Sequence, residues 1–584
     1  MSDQRLTNEP SLRTLIGSIV RILGPESDFY SLAIIYGVGI SLFSLATPIS
    51  VQMLINTVAN TGLTLSLVVL SVTLFVLLLL SGLLNALRIH VMELFQRRFY
   101  ARMVSEIALR SIYALNPFFQ DQRMGALFNR YFDIVIVQKN LPNLLIGGFT
   151  IVLQAAVGFV LVSLYHPLLL VFNLVLVALI WIIWLAWGKR AMFSAVQVSH
   201  RKHAVASWLE GLGESNGFFK SERHIVEALN RTDEVTGEYI KQHAQHFRHH
   251  FAQTLSFLVL YALASAVLLG LGGWLVIQGQ LSLGQLVAAE LVLSVALLGV
   301  SQLGTYLAYF YEICGAIDEL SLFYGIRQEE PTGGIVALGA SADLQFANVS
   351  VGERGETLLD LELPGGTRVM GVVESHGLQR DFVNLLKRHT KPNSGYISLG
   401  GVDVMSVQPH ILRQQIIYLA RPTTVDLTIR EYLALSGDND SNQRDLAVLE
   451  TVGLTSAIAR LEHGLDTRLS TTGWPLTISE TMQLKLAAAI IAEPRVLVLN
   501  QLYDVMPEAV LRRALDMLQA KCGCTVLYFT DCYRDLGFDT YFYLGSTQQR
   551  VFDSVEALCR ETDFEVREEG TARLGRATPA LAAS

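Results

Sequence analysis

Charge is what this sequence has least of. Among its 584 residues only 16% are charged while 51% are hydrophobic, and the mean hydropathy is +0.40. That balance excludes a wholly soluble enzyme of this length. The few basic residues form no block and the net charge is -8, which excludes nucleic acid as a partner. Cysteine is also sparse. Cys314, Cys522, Cys524, Cys532 and Cys559 are too few and too scattered for a disulfide framework, and four of them lie in the less apolar part of the chain, as suits a reducing cytosol. Cys522 and Cys524 stand too close for a zinc knuckle and are expected to be free thiols. No GK[ST] triplet occurs anywhere in the chain.

What is present is a concentration of apolar runs, such as LSLVVLSVTLFVLLLLSGLLNAL, in roughly the first 310 residues. About six stretches approach the roughly 20 apolar residues that a membrane-crossing helix needs. They cover approximately 29–56, 64–90, 145–165, 167–188, 252–278 and 283–308. The loops ANTGL, YHP and IQGQLS carry no Lys or Arg, whereas the intervening segments carry Arg97, Arg98, Arg102, Arg110, Arg123, Arg130, Lys139, Lys189, Arg190, Arg201 and Lys202. The positive-inside rule then places both termini in the cytosol. No small-residue cleavage site follows the first span, so it is expected to be a retained helix rather than a signal peptide.

The second span continues past His90 to about Leu115 without Gly or Pro. Roughly 50 helical residues reach about 75 Å, more than twice the hydrocarbon thickness, so the helix is expected to project into the cytosol. It stops at Pro117 before the short amphipathic stretch FFQDQRMGALFNRYFD, and the next cytosolic excursion repeats the plan around WLEGLGESNGFFKSE. Long helix pairs capped by short transverse helices suggest docking elements for a cytosolic domain.

Six spans, long intracellular helices and then a soluble α/β unit resemble a half-transporter of the ABC exporter family over about residues 28–560. The segment LGGWLVIQGQLSLGQLVAAELVLS is similar to the last two spans of type I secretion exporters, which work with a periplasmic adaptor. The resemblance implies an α-helical transmembrane domain plus a cytosolic α/β P-loop NTPase-like domain. Expected boundaries are a cytosolic segment over 1–27, the transmembrane domain over 28–325, a linker over 326–340, the nucleotide-type domain over 341–560 and a flexible tail over 561–584. No peptidase domain of the kind some relatives carry is expected before the first span.

In the soluble half LQFANVSV, KPNSGYISLGGVDV, TIREYL, HGLDTRLSTTG, MQLKLAAAIIAEP and RVLVLN follow in the family's order. Five short motifs would build its ATP site, and each is altered here. The Walker A pattern GxxxxGK[ST] uses glycines to wrap phosphate in backbone N–H groups, a Lys for charge and a hydroxyl for Mg²⁺. Aligned on NLL, Val373, His376 and Leu378 stand at glycine positions, Gln379 at the Lys, and Arg380 and Asp381 at the hydroxyl residues, with Glu374 adding negative charge. Walker B ends in Asn500 and Gln501 instead of Asp and Glu, and a neutral amide cannot take a proton from water. The signature LSGGQ corresponds to Leu476, Thr477, Ile478, Ser479 and Glu480, without the close-approach glycines and with a carboxylate expected to repel phosphate. Arg421 replaces the loop Gln and Asp531 the switch His; no aromatic for adenine stacking stands at Val351 or Gly352. The expectation is a vestigial site with no hydrolysis and with ATP and Mg²⁺ binding weak or absent.

Outside that site, Glu290 lies within the last apolar span, where an ionisable group is expected to be a helix-packing partner or to reach cytosolic water, with substrate or proton contact as the alternative. His243, His246, His249 and His250 have helical spacing but precede a span, so interfacial solvation is expected and no metal. Asn56, Asn85 and Gln154 read as interhelical hydrogen-bond donors and acceptors. The leading functional expectation is a catalytically degenerate export subunit in a bacterial-type inner membrane, a homodimer or a heterodimer with another ABC half, with a periplasmic adaptor as a further partner. The alternative is a non-transporting scaffold or regulator whose pseudo-ATPase domain mediates protein contacts.

Overall fold

The computed structural model describes residues 12–60, 64–115, 124–329, 334, 338–339, 341–351, 357–437, 442–546, 549–562 and 567–568. It divides into two compact units, Met1–Glu329 and Glu330–Ser584. Helices α1 (Leu12–Leu23), α2 (Ser27–Phe43), α3 (Ala46–Asn60), α4 (Thr64–Ile112), α5 (Asp133–Asn143), α6 (Phe149–Ser163), α7 (Pro167–Glu214), α8 (Glu222–Ile277) and α9 (Leu283–Tyr324) make up the first unit. They hold six stretches long and apolar enough to cross a membrane, and the chain is a multi-pass membrane protein.

The 49 residues of α4 form one helix about 74 Å long, in keeping with a sequence free of helix breakers below its apolar part. Three other expectations need correction. The span over 29–56 is not continuous: α2 ends at Phe43 and α3 starts at Ala46, because Pro48 has no N–H to give the Ser44 carbonyl and its ring crowds that carbonyl. The span over 145–165 starts in a π turn, Leu144–Gly148, just beyond Pro142. There Gly147 and Gly148 approach Tyr306 so closely that a Cβ on Gly147 would lie 2.3 Å from its ring. Finally, the second transverse helix shrinks to one three-residue turn, Phe218–Lys220, since α7 absorbs Trp208–Glu214; the first is the 3₁₀ segment Met124–Phe132.

Residues at the start of the expected linker are anchored within the first unit. Leu115 N donates to Arg327 O at 2.9 Å and Glu329 N to Tyr113 O at 2.7 Å, extending the foot of α4 by a short antiparallel pairing. Asn85, expected to bridge helices, instead accepts from Arg88 one turn along its own helix at 2.8 Å. The crossing to α6 is made by Arg88 itself, through Thr150. The side chain of Asn56 lies outside the described residues.

The second unit contains a four-stranded antiparallel sheet in the order β2 (Thr357–Leu363), β1 (Leu344–Val351), β4 (Ser394–Leu399) and β5 (Val402–Asp403). Beside it lies a six-stranded sheet in the order β11 (Gln549–Phe552), β10 (Thr540–Leu544), β3 (Arg368–Val373), β8 (Thr525–Phe529), β7 (Val496–Leu499) and β6 (Ile416–Leu419). Strands β10, β3, β8, β7 and β6 pair in parallel and only β11 is antiparallel. RVMGVV, VLVL and TVLYF are predominantly apolar and buried along their length, as strands covered on both faces are; the Arg368 guanidinium at the start of β3 is paired with Asp516. Phe346 and Phe382 stack 4.6 Å apart, and Phe529 meets Phe382 and Phe542 edge to face, in the core shared by the two sheets. Phe382 anchors α10 (His376–Leu386) and so sets where β3 must turn. The tail contributes one described element, Arg567–Glu568 (β12), paired with Cys532–Tyr533 (β9).

Candidate functional site

In a parallel sheet the carboxyl ends of the strands face one crevice, where ligands bind in open α/β folds. The chain places the β3–α10 turn, Asn500 and Gln501 after β7, Asp531 after β8 and Arg421 after β6 at that edge. The candidate positions after these four strands are thus brought to one side of the domain. At the β3–α10 turn and at Asn500, side chains are engaged in the chain's own hydrogen bonds.

Only Glu374 and Ser375 separate β3 from α10. A phosphate-wrapping loop would need backbone from 373 to 379 to arch around its ligand, yet residues 376–379 form the first turn of the helix. Ser375 caps it: Leu378 N donates to its Oγ at 3.4 Å and Gln379 N to its carbonyl at 3.3 Å. The N–H groups available to an anion at a helix N-terminus are therefore partly engaged. Glu374 accepts from Ser546 N at 2.6 Å and Ser546 Oγ at 2.9 Å, and these donors hold its carboxyl below the usual range. The Gln379 side chain, where a lysine would reach for phosphate, is buried, and its Nε2 has no partner. Arg380 is exposed and Asp381 half-buried.

Asn500 is occupied as a cap, its Oδ1 accepting from Leu502 N at 2.7 Å. Gln501 lies across the crevice from α10, with Nε2 3.4 Å from His376 Nδ1. The carboxylate at this edge that sequence reasoning missed is Asp504, in the turn after β7. It accepts from Tyr528 Oη and from Thr530 Oγ1 at 2.8 Å, and burial raises its carboxyl above the ordinary value. An acid a few residues beyond VLVL was the available signal. Its oxygens are held by the β8 end, which leaves it a structural acceptor and not a free base. Asp531 is half-buried beside it. The Arg421 side chain is exposed, while its carbonyl accepts from Lys485 Nζ at 2.5 Å, tying the loop to α11 (Ile478–Ala492).

At the signature position Thr477 and Glu480 close a reciprocal capping box on α11. Thr477 N donates to Glu480 Oε2 at 2.9 Å and Glu480 N to Thr477 Oγ1 at 3.2 Å. Arg460 pairs with the same carboxylate at 3.2 Å. Glu480, expected to repel phosphate, is thus engaged by its own helix N-terminus and by Arg460. Leu476 is buried in the core, Ile478 is exposed and Ser479 follows in the first turn. The Val351 side chain and Gly352 lie outside the described residues. Thr477→Ala removes this cap and is expected to cost about 1 kcal/mol. Thermal unfolding of the purified protein should register this as a fall of about 2–4 °C, whereas Thr477→Ser, which keeps the hydroxyl, should retain most of the stability.

In the membrane unit Glu290 accepts from Ser294 Oγ at 3.3 Å. The histidines do not converge: His246 and His250 stack 6.1 Å apart against Tyr311, while His243 contacts Tyr239 and His249 contacts Trp187. Inward packing thus replaces simple interfacial solvation for this pair. Among the described residues no three His, Cys, Asp or Glu side chains form a metal-binding group. Cys522 and Cys524 are free thiols.

Six membrane-crossing helices joined to this two-sheet α/β domain have the fold of an ABC exporter half-transporter. The chain superposes on the structure of a bacterial Atm1-family ABC exporter with ATP bound, with a TM-score of 0.75 and 17% identity, over 92% of this chain and 97% of the other. It is similar to the uncharacterized ABC transporter ATP-binding protein YfiC of Bacillus subtilis (strain 168), 24% identical over 429 residues, 69% of this chain and 68% of the relative. It is also similar to the leukotoxin translocation ATP-binding protein LktB of Mannheimia glucosida, 21% identical over 487 residues, 80% of this chain and 67% of the relative. No family model matches the chain.

Proposed function

We propose that the chain is a catalytically degenerate subunit of an ABC-type export system, working in pairs, either two copies or one copy beside a competent ABC half. The observation that carries this reading is the contrast between a retained sheet and polar groups that are locally engaged: Ser375 and Asn500 each cap the backbone that follows them, and Thr477 and Glu480 cap α11. The residues do not fit ATP with Mg²⁺. No lysine stands at 379 and no carboxylate at 500 or 501, so phosphate charge and the attacking water would both lack their partners. The soluble domain then acts through protein contacts, and any hydrolysis belongs to a partner subunit. Similarity to LktB, named for leukotoxin translocation, favours export, and the resemblance of LGGWLVIQGQLSLGQLVAAELVLS to type I secretion exporters adds a periplasmic adaptor as partner.

The basic residues of the long helices support an inner-membrane orientation with both termini cytosolic. Reporter fusions at Pro167 and Gln280 are expected to read as periplasmic, and fusions at Gly213 and after Cys559 as cytosolic. Cross-linking in native membranes should trap two halves in one particle. A cytosolic signal at Gln280, or a solitary chain, would refute the exporter reading.

A further inference from the structure

The basic residues beyond the apolar parts of the long helices are not all alike. Arg97 pairs with Glu93, Arg102 with Glu26, Arg110 with Glu106, Arg130 with Glu319 and Lys202 with Asp133. Arg190 of α7 and Arg248 of α8 are exposed, and among the described residues no carboxylate pairs with either. Their own helices offer none nearby: α7 has no Asp or Glu before Glu210, and α8 has none after Glu238. On α9, Tyr311 packs against His246 and His250 of α8, and the acid next to it, Glu312, is already taken by the Asn140 amide.

The two arginines stand at one depth beside one groove. Trp187 of α7 meets His249 of α8 with ring centroids 6.4 Å apart, and Ser194 Oγ lies 3.0 Å from His246 Nδ1. Arg190 and Arg248 both exert their charge on the His249 ring. At about 100° per residue, Ala186, Ile183 and Leu179 continue the Arg190 stripe toward the apolar end of α7, and Ala252, Leu255 and Val259 continue the Arg248 stripe toward that of α8. Leu179, Ala186, Leu255 and Val259 are exposed, so apolar walls lead from the paired cations into the hydrocarbon. Trp181, Trp184 and Trp187 lie just before Arg190, where indoles mark the membrane surface.

We propose that this groove binds an anionic phospholipid, its phosphodiester held between Arg190 and Arg248 and its acyl chains laid along the two apolar stripes. Guanidinium and phosphate form short charge-assisted hydrogen bonds, and basic pockets between membrane helices at this level hold such headgroups. A free phosphate would answer the two cations alone, whereas the apolar walls above them call for a headgroup that carries chains. The site requires only that α7 and α8 cross the membrane, and it is independent of the nucleotide-type domain.

The test is native mass spectrometry of the full chain in detergent, titrated with dioleoylphosphatidylglycerol or with the zwitterionic dioleoylphosphatidylcholine. Phosphatidylglycerol is expected to bind at least tenfold more tightly than phosphatidylcholine. Arg190→Gln with Arg248→Gln should abolish that preference, and either substitution alone should weaken it severalfold, with thermal unfolding confirming that each variant is folded. Arg223→Gln with Arg231→Gln removes the same charge about 25 Å or more from Arg248 along α8 and should leave the preference intact, which separates a site from general attraction. Excess inorganic phosphate should not displace the lipid. Equal binding of the two lipids, an unchanged preference in the Arg190/Arg248 variants, an equal loss in the Arg223/Arg231 pair, or displacement by inorganic phosphate overturns the proposal. A cross-linked pair that fails these binding tests leaves the exporter reading standing, while an unpaired chain removes that reading independently.

Discussion

Leu497→Asp is expected to abolish folding of the soluble unit and, with it, assembly of the protein. Leu497 is fully buried at the middle of β7, in register with Ile417 of β6 and Val526 of β8, in a core that also holds Leu499 and Tyr528. A carboxylate there has no donor and no exit to water. Even when neutralised by protonation it leaves an unsatisfied polar group where an apolar side chain packed, a cost of several kcal/mol. That is comparable with the roughly 5–15 kcal/mol that holds a domain together. By contrast, Gln501→Ala is expected to change stability by under about 1 kcal/mol. Gln379→Ala should be similarly mild, because the lost packing is offset by removal of an unpartnered buried amide nitrogen. Membrane-inserted yield, thermal unfolding and co-purification of a second half read out all three. If either glutamine variant stays folded and assembled yet loses function, the contact-only reading of the soluble domain fails.

The second large effect concerns nucleotide. The purified chain is expected to show no Mg²⁺-dependent ATPase above background and no stabilisation by ATP. A site with a Kd near 10 μM would gain about 2.7 kcal/mol at 1 mM ligand, a rise of roughly 5–10 °C in thermal unfolding for a domain of this size. The expected shift is near zero. Gln501→Glu alone should not restore turnover, nor should its combination with Asn500→Asp and Gln379→Lys. The reason is backbone: α10 starts at His376 and Ser375 already holds the Leu378 N–H, so a restored lysine would still lack a cradle around the phosphate. Turnover by the unaltered chain, or by the triple variant, would show that the loop can open and that the capped turn is not its only conformation.

Much of this was legible in the sequence, for definable reasons. Apolar runs near 20 residues and the absence of Gly and Pro below the second span forecast the membrane helices and the long α4, because hydrophobic transfer and helix propagation are properties of contiguous residues. The proposal of a vestigial site rests on sequence alone, because residue identity decides whether a side chain can neutralise phosphate or accept a proton. Pro48 was equally visible, yet its effect went unread: the apolar pattern runs through the break at Ser44–Leu45 and masks it.

Residues distant in the chain and joined only by folding were not legible. That Asp504 is held by Tyr528 and Thr530 depends on β7 lying beside β8. The bridge from Arg88 to Thr150 depends on the approach of α4 and α6, and the orphaned oxygen of Glu290 depends on which face α9 turns to the bundle. Composition and order determined by themselves that this protein crosses a membrane and carries an α/β domain. Only the tertiary structure decided that the remaining polar groups answer one another. Charge belongs to a residue, whereas satisfaction of a buried donor or acceptor belongs to the partners that the fold brings within about 3 Å.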